Sequence, residues 1–227
     1  WCRCDYCTYA REHGGRNVRY NSAIHFADRC LIDFPPNIVD KATEYHIDLI
    51  PTELLLCTHS HEDHFFPRML QWRYREYGPE SMSVVDRVNA GCARFGDLPQ
   101  LRIFGNRKVF AKLEPFLSKN ELVDYALDFT VVEAYSEYMH AGVDFIPMIA
   151  SHMDLDGERG LMYLIHCQGK TFLYATDSNT YINRTRDCIR AHKVDAVIME
   201  CTFGESNRDG GHMSLKRAFD EIHFFEE

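Results

Sequence analysis

Residues 54–66 read LLLCTHSHEDHFF, an apolar run that leads directly into six positions holding three histidines and two acids. A short apolar run bounded by polar residues suits a buried strand. A strand end carrying so many ionisable groups needs something to compensate them, because a charge leaves water only when it is paired, neutralised or bound to a cation. The pattern is H-x-H-x-D-H, formed by His59, His61, Asp63 and His64. If the strand continues through His59 and His61, a period of two puts both rings on one face, and the following turn brings Asp63 and His64 round to a second ion. Imidazoles with carboxylates suit zinc, manganese or iron. The plainer reading, a polar turn with chance histidines, leaves the clustering unexplained.

The rest of the composition bounds what such a site can serve. The chain has 227 residues and no Pro/Gly/Ser-rich linker, so one domain over 1–227 is expected. Its formal charge of -9 disfavours nonspecific binding to nucleic acid or to an anionic membrane, and points to a small substrate. There is no apolar run of membrane-spanning length, and WCRCDYC at the start is unlike an export signal. A cytoplasmic protein is the expectation, and pairing with a second copy is left open. Nine cysteines make an odd number, and Cys30, Cys57, Cys92, Cys167, Cys188 and Cys201 are isolated, as in a reducing compartment. Cys2, Cys4 and Cys7 differ: a C-x-C-x2-C spacing lets a tight turn gather three thiolates, which want a fourth ligand to close a tetrahedron round zinc.

Along the chain, strands and helices alternate. Strands are expected within 17–28, 30–33, 53–58, 101–106, 127–135, 143–150, 161–167, 171–177 and 195–201. Helices are expected over 38–45, 108–117, about 180–192 and from near Ser214, with helical pieces in 65–100. Sheets covered by helices follow from that order. Each chemically interesting segment comes just after a strand, where loops carry function. The segment 65–100 holds Phe65, Phe66, Trp72, Tyr74 and Tyr77 with Arg68, Arg73 and Arg75, which could fold over a substrate. For most of them aromatics in the core and arginines in solvent is the preferred reading.

HSHEDH, preceded by CLIDFPP with Asp33 and followed by IASHMD with His152 and YATDSNT with Asp177, resembles the metallo-β-lactamase superfamily in type and order. The resemblance implies an α/β fold, an αββα sandwich of two mixed sheets packed face to face with helices outside. It implies that His59, His61 and His152 hold one divalent ion, Asp63 and His64 a second, and Asp177 bridges them, with Asp33 orienting a ligand from behind. The amino-terminal cysteines, with the Arg-containing segment and strand after them, resemble the phosphoribosyl cyclic phosphodiesterases of the carbon-phosphorus lyase (phosphonate) pathway, which carry a structural zinc there. MECTFGESNRDGGHMS adds Glu200 and His212, similar to the acid and histidine that related phosphodiesterases set beside the leaving group. His212 could equally be a helix-start residue with Ser214 as the cap.

By this resemblance the expected cofactors are two catalytic Zn or Mn ions and one structural Zn. The expected activity is hydrolysis of a small cyclic phosphodiester, ribosyl 1,2-cyclic phosphate-like, by attack of a metal-bound hydroxide. That family opens with a glycine-rich strand before the cysteines and closes with a strand and a T-H-x-x-H-like motif. Between Trp1 and Glu227 neither is present, so the last ligand of the second ion and the fourth ligand of the structural zinc are expected to be missing, and His223 follows His212 too soon to replace them. Three alternatives stay open: an RNase Z-like nuclease, which would need a basic RNA-gripping arm; a thioester or lactone hydrolase; and a non-catalytic binding module.

Overall fold

The structure, a computed structural model, describes residues 2–73, 98–117, 121–153, 157–206 and 210–225. Two five-stranded sheets form it. The first has spatial order β1 (Ile24–Phe26), β2 (Cys30–Ile32), β3 (Leu54–Leu56), β4 (Leu101–Gly105) and β5 (Leu127–Val131), with β1 antiparallel and the other pairings parallel. The second comprises β6 (Tyr138–His140), β7 (Val143–Met153), β8 (Arg159–Cys167), β9 (Lys170–Ala175) and β10 (Ala196–Met199), running in space from β10 back to β6. Its pairings are antiparallel except β9 with β10.

Strands buried on both faces read as continuous apolar runs, and β2 and β3 are wholly buried Cys-Leu-Ile and Leu-Leu-Leu. Period two then divides each strand between two cores. Leu31, Leu55 and Ile103 turn outward under α2 (Ile38–Glu44) and α3 (Arg107–Leu113). Cys30, Ile32, Leu54 and Leu56 turn inward to meet Phe145, Tyr163, Ile165 and Tyr174 of the second sheet. Behind the second sheet, Ile146, Met148, Leu164 and Leu173 pack under α4 (Asn183–Arg190) and α5 (Leu215–Phe224). The result is the expected four-layer sandwich of helix, sheet, sheet and helix. No helix among the described residues is long and apolar enough to cross a membrane.

Several local expectations need correcting. The strand expected over 17–28 is confined to Ile24–Phe26, because among the described residues β1 pairs with the three-residue β2 alone, and the left-handed Ala27 and Asp28 turn the chain between them. Among the described residues, those before Ala23 have no ladder partner to extend the strand. β3 stops at Leu56, so His59 and His61 do not lie on a continuing strand. The helix expected over 108–117 begins at Arg107, where Asn106 Oδ1 accepts from Val109 N at 2.9 Å, and tightens into a 3-10 turn at Glu114–Phe116 around Pro115. The cysteine segment is no simple turn: α1 (Asp5–His13) starts inside it.

Tyr163 joins the two layers. Its fully buried hydroxyl donates to Cys57 O at 2.7 Å, across the inter-sheet core and just before the histidine motif. Tyr163→Phe should lower unfolding stability by about 1–3 kcal/mol, since it strips a buried carbonyl of its donor. Urea titration should show the midpoint falling with an unchanged slope.

Candidate metal centre

In the second sheet β7, β9 and β10 run in one direction, because each antiparallel step reverses the chain and β10 is parallel to β9. Their carboxyl ends carry His152, Asp177 and Glu200, while β2 and β3, parallel in the first sheet, lead into Asp33 and the histidine motif. Two of these exits require unusual backbone. Asp33 and Asp177 have φ of 62° and 46°, left-handed values that Asp tolerates better than most residues. His152 lies in a register shift between Ile149 and Met153, the kind of irregularity that re-aims a side chain.

The rings converge although the strand does not carry them. His59 Nε2 lies 3.0 Å from His61 Nδ1, His61 Nδ1 lies 3.3 Å from His152 Nε2, and His59 Nε2 lies 3.4 Å from Asp177 Oδ2. His61 Nδ1 offers either one proton or one lone pair, so hydrogen bonding cannot satisfy both neighbouring nitrogens at once. Four tetrahedral ligands at roughly 2.0–2.1 Å from a zinc ion stand about 3.3 Å apart, which the observed spacings match. The donor set therefore fits a divalent cation at this position.

A second group of possible ligands, Asp63, His64 and Asp177, shares the same carboxylate. His64 Nε2 lies 3.1 Å from Asp177 Oδ2 and 3.8 Å from Asp63 Oδ2. The other ring nitrogen, His64 Nδ1, lies 2.8 Å from Oδ2 of the fully buried Asp33. Asp33 in turn accepts from Thr58 N at 2.8 Å and from the Thr58 hydroxyl at 2.9 Å. Asp33 thus stands behind His64 and fixes its ring. Thr58 went unnoticed in the sequence, where only its place beside His59 could have drawn attention.

Charge is distributed unevenly over these groups. Burial, reinforced by the neighbouring His64, pushes the His59 imidazole down to about 3 and keeps it neutral, as a ligand must be. Burial acts the same way on His64, but hydrogen bonds to Asp177 and Asp33 outweigh it and raise that ring to about 10. Burial opposes ionisation of Asp177 as well, yet the bond to His64 and the nearby rings hold it well below the usual carboxylate range.

Beside this centre, His212 Nδ1 lies 3.0 Å from Glu200 Oε1 and 3.8 Å from Asp177 Oδ1. Ser214 caps α5 through its hydroxyl, and His212 lies two residues before that cap. Asp177, Glu200 and His212 form a further group of potential ligands.

No family model matches the sequence, and no curated protein matches it. Solved structures do. A diphosphatase from the PhnP family superposes with a TM-score of 0.68 at 15% identity, covering 99% of this chain and 75% of that one. Zinc-bound PqqB from Methylobacterium extorquens gives 0.61 at 14% identity, covering 88% and 67%. The metallo-β-lactamase fold protein YhfI from Bacillus subtilis gives 0.58 at 17% identity, covering 88% and 72%. The chain has the metallo-β-lactamase fold. Within that fold the sequence-expected His59, His61, Asp63, His64, His152 and Asp177 all meet at one end of the sandwich, and Glu200 and His212 adjoin them.

Cys2, Cys4 and Cys7 also come together, their sulfurs within 4.8 Å of one another. Cys4 is the amino-terminal cap residue of α1, and Cys7 lies in its first turn. The Cys7 backbone N–H, followed by hydrogen bonding with Cys2, lowers the Cys4 thiol below its ordinary value. A helix start favours thiolate in this way. Among the described residues no fourth ligand joins the three.

Of the aromatic and arginine segment, Phe65 is fully buried in the helix-side core, and Arg73 donates to Pro99 O at 2.7 Å and Tyr125 O at 3.3 Å. Both are structural. Arg68 stacks 5.5 Å from the Phe116 ring, and Trp72 is exposed. Tyr74, Arg75 and Tyr77 lie outside the described residues.

Asp33→Asn keeps shape and acceptor while removing charge, and should weaken divalent-metal binding at the Asp63–His64–Asp177 group by about 10–100-fold. Competition against a chromophoric chelator measures this, and unchanged affinity would contradict the orienting role. Cys4→Ser should lower zinc content by about one ion per chain in elemental analysis, with binding at the histidine cluster unchanged.

Proposed function

We propose that the chain is a metal-dependent phosphodiesterase acting on a small cyclic phosphodiester of the ribosyl 1,2-cyclic phosphate kind. The observation that carries this reading is the His212–Glu200 pair, set 3.8 Å from the carboxylate shared by the two ligand groups. A thioester hydrolase, whose thiolate leaves without protonation, needs such a proton donor less than an enzyme expelling a basic alkoxide does. The similar diphosphatase of the PhnP family supports phosphorus as the reacting centre. A net charge of -9 supports a small substrate over a polynucleotide.

His59, His61, His152 and Asp177 would hold one ion, and Asp63, His64 and Asp177 a second, with Zn or Mn compatible with both sets. Two cations held there would supply a water of lowered pKa and a grip on the attacked phosphoryl oxygens. Asp177 sets the spacing, because one of its oxygens faces both His59 and His64. Asp33 holds the His64 ring through Nδ1 and leaves Nε2 for the second ion. Glu200 faces His212 Nδ1, which keeps a proton there and leaves Nε2 to deliver one to the departing alkoxide. Cys2, Cys4 and Cys7 would hold a structural zinc that ties down the start of α1.

Bis(4-nitrophenyl) phosphate and a ribose 1,2-cyclic phosphate, each assayed with added Mn or Zn, test the proposal. Asp177→Ala should abolish turnover of both. His212→Ala should cost the cyclic ribose substrate about 10²–10⁴-fold and the nitrophenyl ester far less, since nitrophenolate needs little protonation. Equal losses would remove His212 from the acid role, and a metal-loaded wild type inert towards every phosphodiester would overturn the assignment.

A further inference from the structure

Two segments that close the site are joined by one side chain. Behind the left-handed Asp177, Ser178 is fully buried and its hydroxyl accepts from Ser151 N at 3.3 Å, which fixes the turn against β7 one residue before His152. Asn179 projects from that fixed base. Its Oδ1 accepts from Thr180 N at 2.8 Å, which leaves Nδ2 to donate to Gly210 O. The next residue, Gly211, faces His152: its carbonyl lies 3.4 Å from His152 Nδ1, and a Cβ added to it would stand 3.2 Å from the same nitrogen. His212 follows, its ring centroid 5.1 Å from that of His152. Beyond His212 the chain is anchored separately, since Phe203 N donates to Met213 O at 2.9 Å.

A histidine that binds metal is normally held by a partner on its other ring nitrogen. Thr58 Oγ1, 3.0 Å from His59 Nδ1, and Asp33, 2.8 Å from His64 Nδ1, stand in that place for two of the rings. For His152 the place falls to the Gly211 carbonyl, and a carbonyl is only as well placed as the chain that carries it. Two consecutive glycines have the widest backbone freedom, so this stretch needs a restraint from outside. We propose that Asn179 is a positioning residue, whose hydrogen bond to Gly210 O sets both the Gly211 carbonyl behind His152 and the approach of His212 to the site. The His152 half needs only a cation at the centre, and the His212 half rests on the phosphodiesterase reading. An amide suits the task because it accepts at one end and donates at the other. A carboxylate in its place would set an oxygen against Gly210 O.

The full chain is titrated with Mn, which thiolates disfavour, and binding is followed by the EPR signal of the free ion. Asn179→Ala should weaken one of the two binding constants of the histidine–carboxylate centre by about 10–100-fold. The constant that moves should be the one that Asp33→Asn leaves in place, because Asp33 stands behind His64 and Gly211 behind His152. Gly211→Ala should weaken the same constant without touching Asn179, since its Cβ would press on the His152 ring. With metal saturating, Asn179→Ala should lower kcat on a ribose 1,2-cyclic phosphate about tenfold more than on bis(4-nitrophenyl) phosphate, the leaving-group dependence of a misplaced acid. Unchanged constants, or a fall in the constant that Asp33→Asn also lowers, would overturn the proposal, and equal losses on the two esters would overturn its His212 half. A wild type inert towards both esters overturns the phosphodiesterase reading alone, because the Mn titration needs no turnover.

Discussion

The geometry of the site depends on one carboxylate. Asp177 Oδ2 stands 3.4 Å from His59 Nε2 and 3.1 Å from His64 Nε2, while Oδ1 reaches towards His212 at 3.8 Å. His59 and His64 arrive on the loop after β3 and His212 on the segment before α5, so Asp177 joins those two segments. The position is enforced at some cost. A left-handed φ is unfavourable for any residue with a Cβ, and it persists only where the surroundings over-determine it. Here the last three residues of β9, Leu173, Tyr174 and Ala175, are buried and Ser178 behind the turn is wholly inaccessible, which leaves the chain little freedom to relax.

Asp33 repeats the arrangement one layer deeper. It too turns left-handed at a strand end, and it accepts from Thr58 and faces His64 while fully buried. A carboxylate so far from water is tolerable because its acceptor sites are filled, two of them by the residue that begins the histidine loop. The consequence is directional. His64 keeps Nδ1 towards Asp33 and presents Nε2 to Asp177 and Asp63, and the proton held between two carboxylates is the one a cation would displace.

The amino-terminal segment follows a different principle. α1 buries none of its residues, so hydrophobic packing contributes little to holding it. Three sulfurs at its start offer an alternative, because metal binding can supply the folding free energy that a segment without a core lacks.

The sequence by itself determined the strands and the identity of the chemical groups. Leu-Leu-Leu and Cys-Leu-Ile are apolar at every position, as strands buried on both faces are, and the histidines of HSHEDH beside them pointed to a shared ligand. Chain order then made Asp33, His152 and Asp177 legible as partners of that motif. Tertiary structure decided how they meet. Period two along β3 did not bring His59 and His61 together, since β3 ends at Leu56; the loop beyond it did, with His64 N bonded back to His61 O. The role of Thr58 was invisible to any local pattern, because a buried hydroxyl is defined by what packs around it from distant parts of the chain. Hydrophobic periodicity reports which face is buried, and it carries no record of which loops that burial draws into contact.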